Sequence, residues 1–234
     1  MDASTDPSVE SVVVMSAAQI GKTEIVNNVV GYHIAHDPAP ILVVQPTLDM
    51  AQSWSKDRLA PMLRDTPELK DKVKDPRSRD SGNTTLHKIF MGGHVTTCGA
   101  NSPASLASRP VRIVICDEID RYPSSAGTEG DPVALARKRS ATFHNRKILM
   151  VSTPTVKGAS RIESAYEGSD KREFWVPCPH CDHRQTLVWA NVQWQPDQPE
   201  TAVYVCPECG AAWSDAERLR AVANGEWRAS EPFH

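Results

Sequence analysis

Short, unbroken apolar runs, each separated from the next by a helical pattern, constrain this chain more than any other feature. Val12-Val13-Val14-Met15, Ile41-Leu42-Val43-Val44, Val111 to Cys116 (interrupted only by Arg112) and Ile148 to Val151 are such runs. A strand apolar at consecutive positions is buried on both faces. Helical patterns lie between them, at Lys22 to Tyr32, Asp49 to Leu63, Pro132 to Ser140 and Ser160 to Tyr166. Pro132 suits the first turn of its helix. The alternation predicts an α/β fold with a mainly parallel sheet covered on both faces. Thr66-Pro67 and Asp75-Pro76 break the chain, and Thr84 to Met91 with His94 to Cys98 predicts a hairpin around Gly92-Gly93.

The 234 residues are 40% hydrophobic and 24% charged, which excludes disordered, collagen-like and coiled-coil chains. No apolar run is long enough to cross a bilayer, so no membrane partner is expected. No basic-plus-apolar leader opens the sequence, which predicts a reducing compartment for the six cysteines. A net charge of −3 excludes a globally basic nucleic-acid binder, so any DNA contact needs a local patch. Lys56 to Lys88 holds nine basic residues, but six acids interleave them, which predicts a solvated face. Four of the six cysteines and five of the six tryptophans lie from Trp175 onward. This shift predicts two domains, 1–174 and 175–234.

Ser16-Ala-Ala-Gln19-Ile-Gly21-Lys22-Thr23 follows the first apolar run and opens a helix. A phosphate-binding loop has a glycine, four residues, then Gly-Lys-Ser/Thr. Here Ser16 takes the place of the first glycine. In such a loop the amides of a helix N-terminus face phosphate and Gly21 lets the backbone curl. Lys22 neutralises the β/γ-phosphates and Thr23 holds Mg²⁺. The tripeptide alone is a weak signal, but its place after a strand strengthens it. The run Val111 to Cys116 then delivers Asp117-Glu118, which a parallel sheet sets beside the loop. Asp117 is expected to bind Mg²⁺ and Glu118 to polarise the attacking water. Asp120 is expected to be a helix cap. Ile148 to Val151 leads to Ser152 and Thr153, hydroxyls placed to sense the γ-phosphate. The expected ATP site is therefore Ser16, Gln19, Gly21, Lys22, Thr23, Asp117, Ser152 and Thr153, with Glu118 and Lys22 catalytic.

Cys178-Pro-His-Cys181 and Cys206-Pro-Glu-Cys209-Gly210 are two matched knuckles 24 residues apart. Each Cys-x-x-Cys turn presents two thiolates, and two turns complete a tetrahedral Zn²⁺ site. Four sulfurs close that site, so the metal is expected to be structural. Residues Gln185 to Trp194 must fit between the knuckles as a strand-rich insertion. His180 and His183 are expected at the surface, and Cys98 and Cys116 as buried free thiols.

Taken together, these residues resemble the ATPase half of the large terminase subunit of tailed phages, of the lambda-type family. The resemblance rests on Ser16 to Thr23, Ile41-Leu-Val-Val-Gln-Pro-Thr47, Ala100 to Pro110, Val114 to Pro123, Val151 to Ser160 and the two knuckles. It implies a P-loop NTPase of RecA/ASCE-like fold with a small C-terminal zinc-ribbon module. It implies an ATP hydrolase that drives double-stranded DNA into a procapsid, with a small terminase subunit and a portal as partners. Homo-oligomerisation and the cytoplasm of a bacterial host, as a phage or prophage protein, are implied as well. Family members carry a segment before the phosphate loop and an endonuclease domain of RNase H-like fold after the ATPase. This chain is thus expected to be a shortened form without nuclease activity of its own. The competing expectation is a non-catalytic, zinc-stabilised DNA-binding or assembly module with an incomplete nucleotide site. Arg109, Arg121, Arg137, Arg139 and Arg161 are candidates for the arginine that assists hydrolysis.

Overall fold

The computed structural model describes residues 2–73 and 82–232. It divides into two compact units, Met1–Tyr166 and Glu167–His234, eight residues ahead of the composition shift near Phe174. Lys74, Arg77 and Arg79 of the mixed-charge stretch lie outside the described residues.

The first unit opens with a short helix α1 (Asp2–Thr5) and continues β1 (Ser11–Met15), α2 (Lys22–Ala35), β2 (Pro40–Gln45) and α3 (Leu48–Trp54). A π-helical turn, Ser55–Leu59, joins α3 to α4 (Ala60–Asp65). The hairpin strands β3 (His87–Phe90) and β4 (Gly93–Gly99) follow, then α5 (Pro103–Leu106), β5 (Ile113–Asp117), α6 (Pro132–Lys138), β6 (Lys147–Ser152) and α7 (Arg161–Glu167). The expected helix Asp49 to Leu63 is therefore bent through a wider turn. Pro61 explains it: proline offers no N–H and crowds the turn before it. The π turn ends one residue earlier, with the Ala60 N–H donating to the Ser55 carbonyl.

The sheet runs β1-β6-β5-β2-β4-β3, parallel throughout except for the antiparallel edge pair β3–β4. The strand β6 thus stands between the strand that enters the loop and the strand that ends in the acidic pair. Alternate residues feed two cores. Ile41, Val43, Ile113, Ile115, Leu149 and Val151 pack with Val26, Val30, Trp54 and Leu59 on one face. Leu42, Val44, Val114, Cys116, Ile148 and Met150 pack with Leu106, Ile119, Val133 and Ile162 on the other. This double burial is the physical origin of the unbroken apolar runs. Cys98 and Cys116 are buried free thiols, and burial pushes both up to about 12. All the parallel strands end on the same edge, which carries the loop, the acids and the hydroxyls.

The second unit holds two three-stranded antiparallel sheets. One is built from β7 (Glu173–Pro177), β8 (Arg184–Thr186) and β12 (Glu226–Arg228). The other is built from β9 (Val192–Gln195), β10 (Gln198–Val205) and β11 (Ala212–Trp213). A helix, α8 (Asp215–Ala223), starts with a reciprocal cap between Ser214 and Glu217. Its core is small: Val176, Cys178, Tyr204, Cys206, Trp213 and Ala221.

Candidate functional site

The loop Ser16 to Gly21 leaves β1 and turns directly into α2. Gln19 (φ +58°) and Gly21 (φ +86°) both take left-handed backbone, and a Cβ built on Gly21 would meet nothing within 4 Å. The glycine is thus demanded by conformation rather than by space. As the N-cap of α2 it gives no side-chain hydrogen bond, so the first amides of that 14-residue helix are left for another acceptor. The Ser16 N–H donates to the Ser152 carbonyl, which ties the loop to the end of β6. The Ser16 hydroxyl oxygen is buried and has no hydrogen-bond partner among the described residues.

Lys22 is 7% exposed, an unusual place for an ammonium. Its Nζ donates to Thr153 Oγ1 at 2.7 Å and lies 3.1 Å from Glu118 Oε1. Three segments spread over some 130 residues thereby meet at one cation. Glu118 itself sits in left-handed backbone at φ 54°, ψ 49°, a conformation that costs a non-glycine residue about 1 kcal/mol or more. Strain of this kind gathers where a side chain must be aimed. Its other oxygen is 3.6 Å from the Arg121 guanidinium.

Asp117 is 5% exposed. One carboxylate oxygen, Oδ2, accepts from the Gln45 amide at 3.0 Å, while the other, Oδ1, is buried with no partner among the described residues. Burial pushes its carboxyl above the ordinary carboxylate range, against the Gln45 hydrogen bond. An orphaned carboxylate oxygen in a dry site fits a divalent cation, which would supply the missing partner. Thr23, expected from the sequence to hold Mg²⁺, is half-buried on the first turn of α2.

Other expectations land differently. Ser152 is fully buried, its hydroxyl accepting from the Asp120 N–H and donating to the Thr153 carbonyl. It therefore braces the acid turn, whereas its neighbour Thr153 faces Lys22. Asp120 does cap a helix, but a distant one. It accepts from the Ile162 N–H at 2.8 Å in the first turn of α7, and from the Thr155 N–H and hydroxyl at 2.9 and 3.0 Å. Arg161 answers from the other side, donating to the carbonyls of Ile119, Tyr122 and Pro123 and lying 3.4 Å from Asp131. Sequence spacing carries no signal for this clasp, because the partners lie some 40 residues apart. Of the candidate arginines, only Arg121 touches the site. Arg109 lies 3.5 Å from His87, Arg137 4.0 Å from Glu10, and Arg139 donates to the Ala107 carbonyl.

In the second unit the knuckles bring Cys178, Cys181, Cys206 and Cys209 together, with all four sulfurs within 4.8 Å of one another. The Cys178–Cys209 and Cys181–Cys206 separations are 3.8 and 3.9 Å. Four sulfurs at a zinc–sulfur distance of 2.3 Å would stand about 3.8 Å apart, so the cluster fits a tetrahedral metal. The knuckles are conformational twins. In each, the first cysteine's N–H donates five residues ahead, to His183 or Ala211, and its carbonyl accepts four residues ahead, from Asp182 or Gly210. Asp182 (φ +59°) and Gly210 (φ +70°) hold the same left-handed position. Gln185 Nε2 and the His180 N–H donate to the Cys206 and Cys178 sulfurs. Against its desolvation, the Cys209 and Glu208 amides and Gln185 hold the Cys206 thiol down to about 6, in the range that favours thiolate. His180 and His183 are exposed and stand outside the cluster.

The family model for the phage terminase large subunit gpA, ATPase domain, matches residues 1–227. The terminase large subunit of Enterobacteria phage P21 is 28% identical over 227 residues, covering 94% of this chain and 35% of its own length. That of Escherichia phage lambda is 28% identical over 214 residues, covering 88% and 33%. The chain therefore spans about one third of the length of the curated relatives it matches. Among solved structures, the Thermus phage P74-26 large terminase ATPase domain superposes with a TM-score of 0.46 at 18% identity, covering 62% of this chain and 60% of that one. The large terminase of the thermophilic bacteriophage D6E gives 0.47 at 16% identity, covering 65% and 38%.

Proposed function

Because the chain belongs to the family of phage terminase large subunit gpA ATPase domains, we propose that it is the ATP-hydrolysing motor part of a DNA-packaging terminase. Its first unit has the P-loop NTPase fold, and the reaction we assign to it is hydrolysis of ATP coupled to movement of double-stranded DNA into a procapsid. The observation that carries this reading is the meeting of Lys22, Glu118 and Thr153 beside the unpartnered Asp117 oxygen.

The roles follow from the chemistry of each group. The loop amides and Lys22 bind the phosphates of ATP. Asp117 Oδ1 and Thr23 would hold Mg²⁺, which supplies charge neutralisation on the transferred phosphoryl group. Glu118 accepts the proton of the attacking water. Lys22 has three N–H donors and spends them on Thr153 and Glu118 with one to spare, so phosphate competes with Glu118 for its charge, and ATP that draws Lys22 toward phosphate frees the base. Thr153, released by the same movement, reports the event to β6 and the segment after it. In the second unit Zn²⁺ on Cys178, Cys181, Cys206 and Cys209 would supply folding energy rather than chemistry, since four sulfurs leave it no open position.

The terminase small subunit, the portal with its procapsid, and further copies of this chain are the proposed protein partners. The cytoplasm of a bacterial host is the proposed location. Among the described residues no helix is long and apolar enough to cross a membrane. Endonuclease activity is proposed only for a longer protein that carries the family's nuclease domain.

Steady-state phosphate release, measured with and without duplex DNA, tests the reading. Mg²⁺-dependent turnover that rises with DNA is expected. Tight DNA or partner binding with no turnover under either condition would overturn it in favour of a non-catalytic assembly module.

A further inference from the structure

We propose that Gln45, at the end of β2, is the positioning residue for the metal-binding carboxylate of Asp117. The inference rests on the nucleotide reading above and adds a residue that this reading does not use.

Register brings the two together. The strands β2 and β5 run parallel, with Val44 opposite Cys116 as the last pair, and Gln45 and Asp117 are the residues that follow, at the edge where the site lies. Gln45 is 3% exposed and Asp117 5%, and the amide donates to Oδ2 at 3.0 Å. A buried carboxylate with two free oxygens can rotate and present either one. The Gln45 hydrogen bond on Oδ2 restricts that freedom and leaves Oδ1, which has no side-chain partner among the described residues, as the oxygen available to a cation. Holding a ligand's second atom from outside the coordination sphere is how proteins commonly orient metal carboxylates.

The backbone around Gln45 is itself pinned. The Tyr122 hydroxyl donates to the Val44 carbonyl at 2.7 Å, and the Gln45 carbonyl accepts from the Ala100 N–H at 2.7 Å. On the far side of β2, Gln45 pairs with Gly99, which has no side chain to compete for the space. A Cβ there would come within 2.6 Å of Asn101 Oδ1 and the Leu48 N–H nitrogen. An uncharged donor also suits the place. Lysine or arginine at position 45 would add a cation where a metal must enter, whereas an amide fixes the oxygen and leaves the carboxylate's charge to the metal.

The test is the Mn²⁺ dependence of binding of a fluorescent ATP analogue to the whole chain, for the parent, Gln45→Met, Gln45→Asn and Asp117→Asn. Methionine keeps the length and apolar packing but has no donor. Asparagine keeps the donor one methylene short. Gln45→Met is expected to need about tenfold more Mn²⁺ for half-maximal binding, with metal-free binding of the analogue unchanged. Gln45→Asn should fall between it and the parent. A purely structural glutamine would lower the melting temperature of both variants and leave the Mn²⁺ midpoint alone, which overturns the proposal. If Asp117→Asn loses the Mn²⁺ dependence while both Gln45 variants keep the parent's midpoint, only the role of Gln45 fails. If the parent shows no Mn²⁺-dependent binding, the nucleotide reading fails and takes this inference with it.

Discussion

The side chain we propose as the base of the first site is Glu118, and its two charged neighbours explain how it is restrained. Lys22 at 3.1 Å and Arg121 at 3.6 Å engage one oxygen each of the carboxylate we propose as the proton acceptor. Lys22→Ala is expected to abolish both tight ATP binding and turnover, because the ammonium acts on phosphate in the ground and transition states alike. Glu118→Gln should still bind ATP yet lower turnover by about 100-fold or more, the usual contribution of a positioned base. Nucleotide affinity measured beside single-turnover hydrolysis separates the two, and a Glu118→Gln chain that hydrolyses at the parent rate removes Glu118 from the role. Lys22 and Glu118 stand out in the sequence because their residue types suit the tasks proposed for them. Gln45 does not, since a glutamine after Ile41-Leu-Val-Val44 reads as the polar end of a strand until the neighbouring strand's register is known.

At the scale of elements, the segment after Glu118 and the start of α7 are held by two side chains acting in opposite directions. Asp120 accepts from the α7 end, and Arg161 donates to the acid turn. Against its desolvation, hydrogen bonds from the Ile162 amide, Ser160 and Thr155 hold the Asp120 carboxyl below the ordinary range. A group whose folded value is depressed stabilises above its unfolded value, near pH 4, and that contribution is lost as pH falls through the folded value. Asp120→Ala should therefore cost about 1–2 kcal/mol at pH 7, as loss of a cap does, and the difference from the parent should vanish in acid. Thermal unfolding of both chains at pH 7 and below pH 3 checks this, with equal midpoints at pH 7 as the contrary result. Local pattern identified Asp120 as a cap, but the helix it serves begins 41 residues later, beyond any local signal. The knuckles offer the reverse case. Their four cysteines were plain in the sequence, while the equivalence of Asp182 and Gly210 was hidden by unlike side chains sharing one left-handed backbone. Cys206→Ser is expected to lose the metal and unfold Glu167–His234 while Met1–Tyr166 keeps its own melting transition. Elemental analysis and calorimetry follow the two effects, and protein purified without chelators that carries no zinc would refute the metal assignment.

Across the whole molecule, the two units keep separate cores, and the acids separate the same way. In the first unit Asp117 and Glu118 stand at a strand end beside a lysine. In the second, Asp215 and Arg218 pair at 3.1 Å, Glu217 caps its own helix, and Glu226 pairs with Arg228. Two-metal cleavage of DNA needs several convergent carboxylates around two ions about 4 Å apart, and no such group occurs among the described residues. Purified chain is accordingly expected to leave supercoiled plasmid intact with Mg²⁺ or Mn²⁺. Cleavage that co-purifies with it and disappears in Asp117→Ala would show that the acidic pair serves phosphodiester rather than ATP chemistry. The parallel core was legible because burial on two faces writes itself as unbroken apolar runs. The unit boundary lies eight residues before the composition shift because composition changes at Trp175, whereas packing changes at the end of α7. That helix, about 10 Å long by its seven residues, is the last element of the first unit, and its opening turn is fastened to the residue two places after the base. The acid turn and the opening of α7 are thus riveted from both sides, which puts the anchored end of this helix at the acidic pair and leaves its other end to whatever follows.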